Sequence, residues 1–322
     1  MDNQPRFSFL MPAYNAADVI GRAIESVFAQ TFEDWELVIT NDGSSDDTAA
    51  VVERYQQRSE ARGRIRLITQ ENAGCGAARD TSAQHARGEY FVRFDADDEL
   101  MPMYLERMNQ AILDYPDHDI YCCNGINRLP DGNTAPARRG ERYARAQEFT
   151  IDDLFEYVHI FTIALFSAEI YHKVGHINPD VYCEDVCFWF DCFLKGATCQ
   201  FVPEALAYYT VSETQMTADF NRVAHSCIGI YEALLAGGRL TKRQADEAHQ
   251  AIERTYNDLA IFQRRSAVVQ RAEHVLGRKG ARALSAMIHG VGCLVRPLYA
   301  RILSVKRAKA ARTKAREGRY ER

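Results

Sequence analysis

Residues 36–48 read Glu36-Leu37-Val38-Ile39-Thr40-Asn41-Asp42-Gly43-Ser44-Ser45-Asp46-Asp47-Thr48, and Val51, Val52 and Tyr55 follow at helical spacing. A short apolar run bounded by turn residues is a buried strand, so the segment from 36 to 55 is strand, polar turn and helix. The same unit stands on either side. Upstream, Phe7-Ser8-Phe9-Leu10-Met11 is an apolar run stopped by Pro12; Val19, Ile20, Ala23, Ile24, Val27 and Phe28 then recur at helical spacing, with Asp18 placed to cap them. Downstream, Ile65 to Thr69 leads through Asn72-Ala73-Gly74-Cys75-Gly76 into an Ala-rich helix ending near Gly88, and Tyr90 to Phe94 is a fourth strand running into Asp95. Such alternation predicts an α/β fold, a mostly parallel sheet covered by helices on both faces.

The rest of the chain is read against that core. Residues 128–150 bear Arg, Gly and Pro and read as an excursion or flap. Apolar character returns over 151–212: Phe161 to Phe166, a helix opened by Glu184-Asp185-Val186 and running through Phe190 and Leu194, and a last strand near Cys199 to Val202. From about Thr217 the pattern is helical. The expected division is an α/β domain over 1–217, its two halves meeting near residue 125, followed by a helical region over 218–322.

Composition narrows the class. Of 322 residues, 47% are apolar and 26% charged, which describes a globular protein and excludes disordered, collagen-like and coiled-coil chains. Nine cysteines, an odd number without a C-x-x-C pair, fit neither a zinc ribbon nor a disulfide framework, and a reducing cytosol is the expected compartment. Cys183, Cys187 and Cys192 beside Phe188 and Trp189 read as small core residues. The N-terminus carries no signal-peptide pattern. The longest uncharged run, Ala283 to Val295, is thirteen residues, short of the roughly 20 a spanning helix needs.

In sheets of this kind ligands bind at the carboxyl ends of the strands. Tyr14 and Asn15 follow the first strand, Asp42 and Gly43 the second, Asn72 and Gly74 the third, and Asp95-Ala96-Asp97-Asp98 the fourth. The clustered carboxylates either bind a hard cation such as Mg²⁺ or Mn²⁺ or form an acidic turn ahead of a helix near Pro102. Asp42 is either part of an N-cap turn or an acceptor for a base or ribose. Gly74-Cys75-Gly76-Ala77-Ala78-Arg79 lacks the third glycine of a dinucleotide fingerprint, leaving a helix N-terminus with one cation, suited to an anion such as diphosphate. Glu184 and Asp185 are either helix-dipole carboxylates or site residues.

Taken together, in order and spacing, these motifs resemble the family 2 glycosyltransferases of the GT-A fold, inverting enzymes that use nucleotide-diphosphate sugars. The resemblance rests on Phe9 to Asn15, Asn41 to Thr48, Asn72-Ala73-Gly74 with Arg79, Gly88-Glu89-Tyr90-Phe91 into Asp95 to Asp98, and then Lys173-Val174-Gly175, Glu184-Asp185, Gly196 and Pro203-Glu204, covering about residues 7–217. It implies that Asp42 recognises the base, usually uracil. Pro12, Tyr14, Asn15, Gly74, Arg79 and Ala96 would belong to the donor site. Asp95 and Asp97 are implied as the D-x-D pair, Asp97 on the Mn²⁺ or Mg²⁺ and Asp95 nearer the ribose. Asp185 would be the catalytic base and Glu184 its neighbour in the acceptor pocket. The implied donor is a UDP-sugar and the implied acceptor a glycan or lipid-linked oligosaccharide of a cell-surface polysaccharide. Asn41 stands where the family usually has a first aspartate, and Ser212-Glu213-Thr214-Gln215-Met216-Thr217 where many relatives carry His and Ser-Met-Thr.

Residues 296–322 hold ten Lys or Arg against Glu317 and Glu321, a net +8 that leaves −13 for the remainder of a chain totalling −5. Before them Leu284, Met287, Val291, Leu294, Leu298, Ile302 and Val305 form an apolar stripe. This basic end over 284–322 either packs on the body with a solvated tail or lies on an anionic membrane surface, making the protein peripheral on the inner face of the cytoplasmic membrane. Nucleic acid is not expected, since the body is acidic and no binding module is present. A nucleotidyltransferase is disfavoured because Pro12-Ala13-Tyr14-Asn15 stands where a Gly-rich triphosphate loop would be. A nucleotide-sugar-binding partner subunit of the same fold, without turnover, is the alternative.

Overall fold

The computed structural model describes residues 4–137, 145–156, 160, 163–212 and 215–264. Phe161, Glu213, Thr214, Cys293 and the whole basic end over 284–322 lie outside the described residues.

The strand–helix units form as the sequence predicts. β1 (Phe7–Ala13), α1 (Ile20–Phe28), β2 (Trp35–Asp42), α2 (Thr48–Gln56), β3 (Ile65–Gln70), α3 (Cys75–His85) and β4 (Tyr90–Arg93) alternate along the chain. After them come β5 (Glu99–Leu100), α4 (Tyr104–Asp114), β6 (Ile120–Arg128), β7 (Thr134–Pro136), β8 (Gln147–Phe149), α5 (Ile151–Glu156), β9 (Ala164–Ser167), α6 (Ala168–Val174), α7 (Glu184–Leu194), β10 (Cys199–Thr210), α8 (Phe220–Ala236) and α9 (242–264). One ten-stranded sheet runs β3-β2-β1-β4-β9-β6-β10-β5, with β7 on β6 and β8 on β10. The first four strands in that order are mutually parallel, and β9 enters antiparallel to β4 and β6. Two apolar clusters flank the sheet. Phe9, Ile20, Ile24, Trp35, Leu37 and Leu105 belong to one, and Leu10, Phe91, Phe166, Trp189 and Phe201 to the other, as alternating side chains of buried strands require.

Several limits differ from the sequence reading. Strand β1 continues through Pro12 to Ala13. The Leu10 carbonyl accepts from Phe94 N on the β4 side. Pro12, two residues on, turns its nitrogen to that same side, where β4 has already ended, so its missing N–H costs no ladder bond. Asp18 does not cap α1: the loop ahead of the helix is held from α2, with Thr48 Oγ1 accepting from Ala16 N at 2.8 Å and Asp46 Oδ2 from Ala17 N at 3.0 Å. Strand β10 runs to Thr210 because the register against β6 skips Pro203 and Glu204, a bulge that absorbs the proline. The 128–150 excursion contributes β7 and β8 to the sheet.

Among the described residues, those up to Thr255 belong to one compact unit and 256–264 to a second. Among the described residues no helix is long and apolar enough to cross a membrane.

Candidate active site

Because β3, β2, β1 and β4 are adjacent and parallel, the loops after them meet along one edge of the sheet. Side chains lock those loops together. Asn15, in the left-handed region at φ 48°, donates its N–H to Ser44 Oγ at 2.9 Å and accepts from Ser45 N at 2.9 Å through its own Oδ1. Beside it Tyr14 is 55% exposed, an aromatic face open to a ligand, whereas Pro12 and Ala96 are buried.

Asp42 is turned toward its own chain. Oδ1 accepts from Gln70 Nε2 at 2.8 Å and Ala73 N at 2.9 Å, and Oδ2 from Gly74 N at 2.8 Å. Gly74 has φ 92°, a conformation that strains any residue with a Cβ, and the carboxylate holds it there. The arrangement aims the start of α3 while leaving Asp42 only 3% exposed.

The Asp95 to Asp98 turn is pinned from β10. Thr210 Oγ1 donates to the Asp97 carbonyl at 2.6 Å, Thr210 N to Asp98 Oδ1 at 2.9 Å, and Arg22 Nη2 to the Asp97 carbonyl at 3.1 Å. Burial, and then the charge of Asp95, pushes the Asp97 carboxyl up to about 6. Asp98 is raised further by the same causes, and its Oδ2 is buried without a hydrogen-bond partner.

Beneath the turn lies an ionic network the sequence reading missed. Arg79 is 1% exposed; its Nη2 donates to Asp95 Oδ1, and its Nε is 3.6 Å from Glu184 Oε1. Arg93, at the end of β4 and 6% exposed, donates from Nη2 to Glu184 Oε1 at 2.8 Å, with Nη1 3.7 Å from Asp185 Oδ2. Glu184, expected in an acceptor pocket, points inward to both arginines and is 4% exposed. Burial works against ionising Asp95 and Glu184, but Arg79 and Arg93 outweigh it and hold both carboxyls below their usual range. Asp185, next along the first turn of α7, stays raised by burial, partly offset by Arg93, and accepts from Val186 N at 2.8 Å. Arg93 thus feels Asp95, Asp185 and Glu184 together, and of these only Glu184 lines the cavity beside the network. The available signal was an arginine inside the apolar run Tyr90-Phe91-Val92-Arg93-Phe94, since a buried strand keeps a charge only where a partner meets it.

A cavity of about 770 Å³ opens beside this network, walled by Gly74, Cys75 and Gly76 at the start of α3, by residues 179–182 with Glu184, and by Met216 and Arg222. The acidic turn fits a divalent ion that arrives with phosphate. Asp97 offers a carboxylate held only by its own backbone N–H, Asp98 Oδ2 an unpaired oxygen, and Asp95 is engaged by Arg79. Among the described residues no three acidic, His or Cys side chains form a cage of their own, and Mg²⁺-type ions are ordinarily completed by substrate phosphates and water.

The chain is similar to known glycosyltransferases. A glycosyltransferase of Rickettsia typhi is 26% identical over 273 residues, 83% of this chain and 82% of the relative. The 1-349 fragment of S. aureus TarS in complex with UDP-GlcNAc superposes with a TM-score of 0.62 at 18% identity, covering 78% of this chain and 72% of the fragment; against full TarS this chain spans 43% of the length. A mannosyltransferase of Pyrobaculum calidifontis in complex with GDP-Man and Mn²⁺ gives 0.59 at 18% identity, covering 89% and 84%. The shared architecture is the GT-A fold. Residues 8–175, more than half of the chain, match the profile described as Glycosyl transferase family 2, and the chain belongs to that family of glycosyltransferases.

Proposed function

We propose that the protein is an inverting transferase that moves a sugar from a nucleotide-diphosphate donor, a UDP-sugar, to a hydroxyl of a glycan or lipid-linked oligosaccharide in cell-surface polysaccharide synthesis. The observation that carries this is the chain of ion pairs from Asp95 through Arg79, Glu184 and Arg93 to Asp185, which ties the Asp95–Asp97 turn to the first turn of α7. Structural neighbours bound to UDP-GlcNAc and to GDP-Man with Mn²⁺ support a nucleotide-sugar donor and a divalent ion. In this reading residues 1–217 are the catalytic domain and 218–322 a helical appendage.

Asp185 takes the proton of the acceptor hydroxyl. Its burial makes it a stronger base than an ordinary aspartate, and Arg93 keeps the ionised form available. The acceptor oxygen bonds to the anomeric carbon as the bond to the diphosphate oxygen breaks and that oxygen keeps the electron pair, so one displacement inverts the centre. Tyr14 stacks on the base, Asn15, Asp42 and Gly74 shape the rim that receives the nucleotide, and Arg79 acts through Asp95. Asp97, with Asp95 beside it, would hold Mn²⁺ or Mg²⁺, which would supply positive charge for the leaving diphosphate.

Incubation with a panel of UDP-sugars and Mn²⁺ or Mg²⁺ tests this. Asp185→Asn is expected to lower kcat by about 10²–10⁴ with UDP affinity unchanged, and Asp97→Ala to weaken UDP binding. No hydrolysis of any donor, together with a UDP affinity indifferent to Asp97→Ala, overturns the proposal. Tight UDP binding without transfer, unaltered by Asp185→Ala, identifies a partner subunit instead.

A further inference from the structure

Between the end of α6 and the start of α7 the chain runs through 175–183 without helix or strand, and it then delivers Glu184 and Asp185. Residues 179–182 of this connection wall the site cavity. With no ladder of its own, such a segment takes its place from whatever meets its backbone polar groups. Two of its contacts come from one face of α3. Asp80 Oδ1 accepts from Ile177 N at 2.7 Å and from Tyr171 Oη, on α6, at 3.0 Å. Four residues earlier, and so on the same face, Gly76 meets the connection directly: a Cβ there would lie 3.3 Å from Asn178 O, Pro179 Cα and Glu184 Cβ. A third contact comes from α8, where Ser226 Oγ accepts from Cys183 N at 3.0 Å.

Asp80 serves this connection by geometry rather than by charge. The charges that act most on Asp185 are those of Arg93, Glu184 and Arg79. The second oxygen of Asp80 accepts from Gln84 Nε2 at 2.8 Å on the exposed side of α3. Ile177 is 2% exposed, so without Asp80 its N–H would stand among apolar side chains with its hydrogen bond unmade, and the chain would have to shift to reach water.

We propose that Asp80 is a positioning residue for the transfer step, holding Ile177 and Tyr171 against α3 so that the connection sets Asp185 down at the site. The proposal rests on the reading of Asp185 as the base, and Ile177 stands eight residues ahead of it. A displacement of about 1 Å at a reacting group costs as much as about 10²-fold in rate. The donor rim is held by other bonds, Asn15 by Ser44 and Ser45 and Gly74 by Asp42. Loosening the connection therefore moves the base and leaves the nucleotide its site.

Hydrolysis of the UDP-sugar that the parent cleaves fastest, calorimetry with UDP, and amide hydrogen exchange test the role. Asp80→Ala is expected to lower kcat at least about tenfold, to leave KM for that UDP-sugar and the affinity for UDP within about twofold, and to speed exchange across 177–187 at least about tenfold. Asp80→Asn, whose amide oxygen still accepts from Ile177 N and Tyr171 Oη, is expected to restore kcat to within about threefold of the parent. Gln84→Ala should change none of these. Unchanged kcat and exchange in Asp80→Ala, a UDP affinity that falls in step with kcat, or Asn as damaging as Ala overturns the proposal. Should Asp80→Ala not fold, the parent still decides: its Ile177 amide is expected to exchange at least about tenfold more slowly than an unstructured amide, and an unprotected one overturns the proposal. Hydrolysis absent from the parent sinks the transfer reading and the catalytic side of this proposal with it, while exchange across 177–187 still decides whether Asp80 holds the connection.

Discussion

At the scale of single residues, Arg93 decides how the two sides of the site are held. Arg93→Met leaves Glu184 with Arg79 alone, and a buried carboxylate that loses a partner costs about 3 kcal/mol or more. Adding Glu184→Gln removes the orphaned charge, so the double variant is expected to fall short of the summed single losses by about 1–3 kcal/mol in urea unfolding. Asp97 gives a test of opposite sign. Its folded pKa of about 6 exceeds its ordinary 3.8, so the folded chain binds the proton more tightly and stability falls as pH rises through that window. The raise is at most about 3 kcal/mol against the ionised form, and about 1–2 after solvent screening at a half-buried group. Asp97→Asn should therefore stabilise the nucleotide-free protein at pH 7.5 by that amount and flatten its stability between pH 4 and pH 6, read by denaturation at each pH. Which residues stand at strand ends was legible: Tyr14, Asn15, Asp42 and Asp95 to Asp98 all lie there. Where their side chains point was not. The Asp42 carboxylate turns to Gln70, Ala73 and Gly74 because β2 pairs with β3, a neighbourhood set by register across 28 residues rather than by anything beside Asp42 in the chain.

At the scale of elements, the strands were readable because each is an apolar run with turn residues after it, and their ends were not, because ends depend on neighbours. Pro12 reads as a terminator and yet lies inside β1, and the strand reading stops at Val202 where Pro203 is bulged out of β10. The entry to β4 shows the same dependence in a testable form. Gly88 N donates to Ser8 Oγ at 2.8 Å, and Ser8 Oγ donates on to the buried Glu36 Oε1 at 2.7 Å, so β1, β2 and the start of β4 are tied through one hydroxyl. A Cβ on residue 88 would lie 2.6 Å from Ser8 Oγ and 2.7 Å from Ser8 N. The backbone has nowhere to give without parting two strands. Gly88→Ala is expected to destabilise by about 3 kcal/mol, the upper range for overpacking, whereas Gly229→Ala, inside α8 where an added Cβ meets nothing within 4 Å, should not destabilise at all; urea midpoints of the two variants make the comparison.

At the scale of the whole molecule, strand order and charge act together. Placing β3, β2, β1 and β4 side by side and parallel collects four loops on one rim, and β9 and β10 then carry α7 back so that its acidic first turn reaches Arg93. The parallel half was legible from alternation alone. The antiparallel insertion of β9 was not, because a four-residue apolar strand is the same to read in either direction. Charge is unequal along the chain: residues 296–322 carry +8 against −13 elsewhere. Were that end held against the acidic remainder, its charge would be offset there and a chain of net −5 would be repelled by an anionic bilayer. If instead the basic end docks, each side chain near the surface contributes about 1 kcal/mol, and the attraction decays within a Debye length of about 10 Å at 0.1 M salt. The full chain is then expected to sediment with vesicles containing phosphatidylglycerol at 0.1 M salt, to be released at 0.5 M, and to lose binding when residues 284–322 are removed. Sedimentation that survives 0.5 M salt would show apolar insertion of the 284–305 stripe rather than charge as the anchor, and sedimentation that survives the deletion would move the membrane contact to residues 1–283.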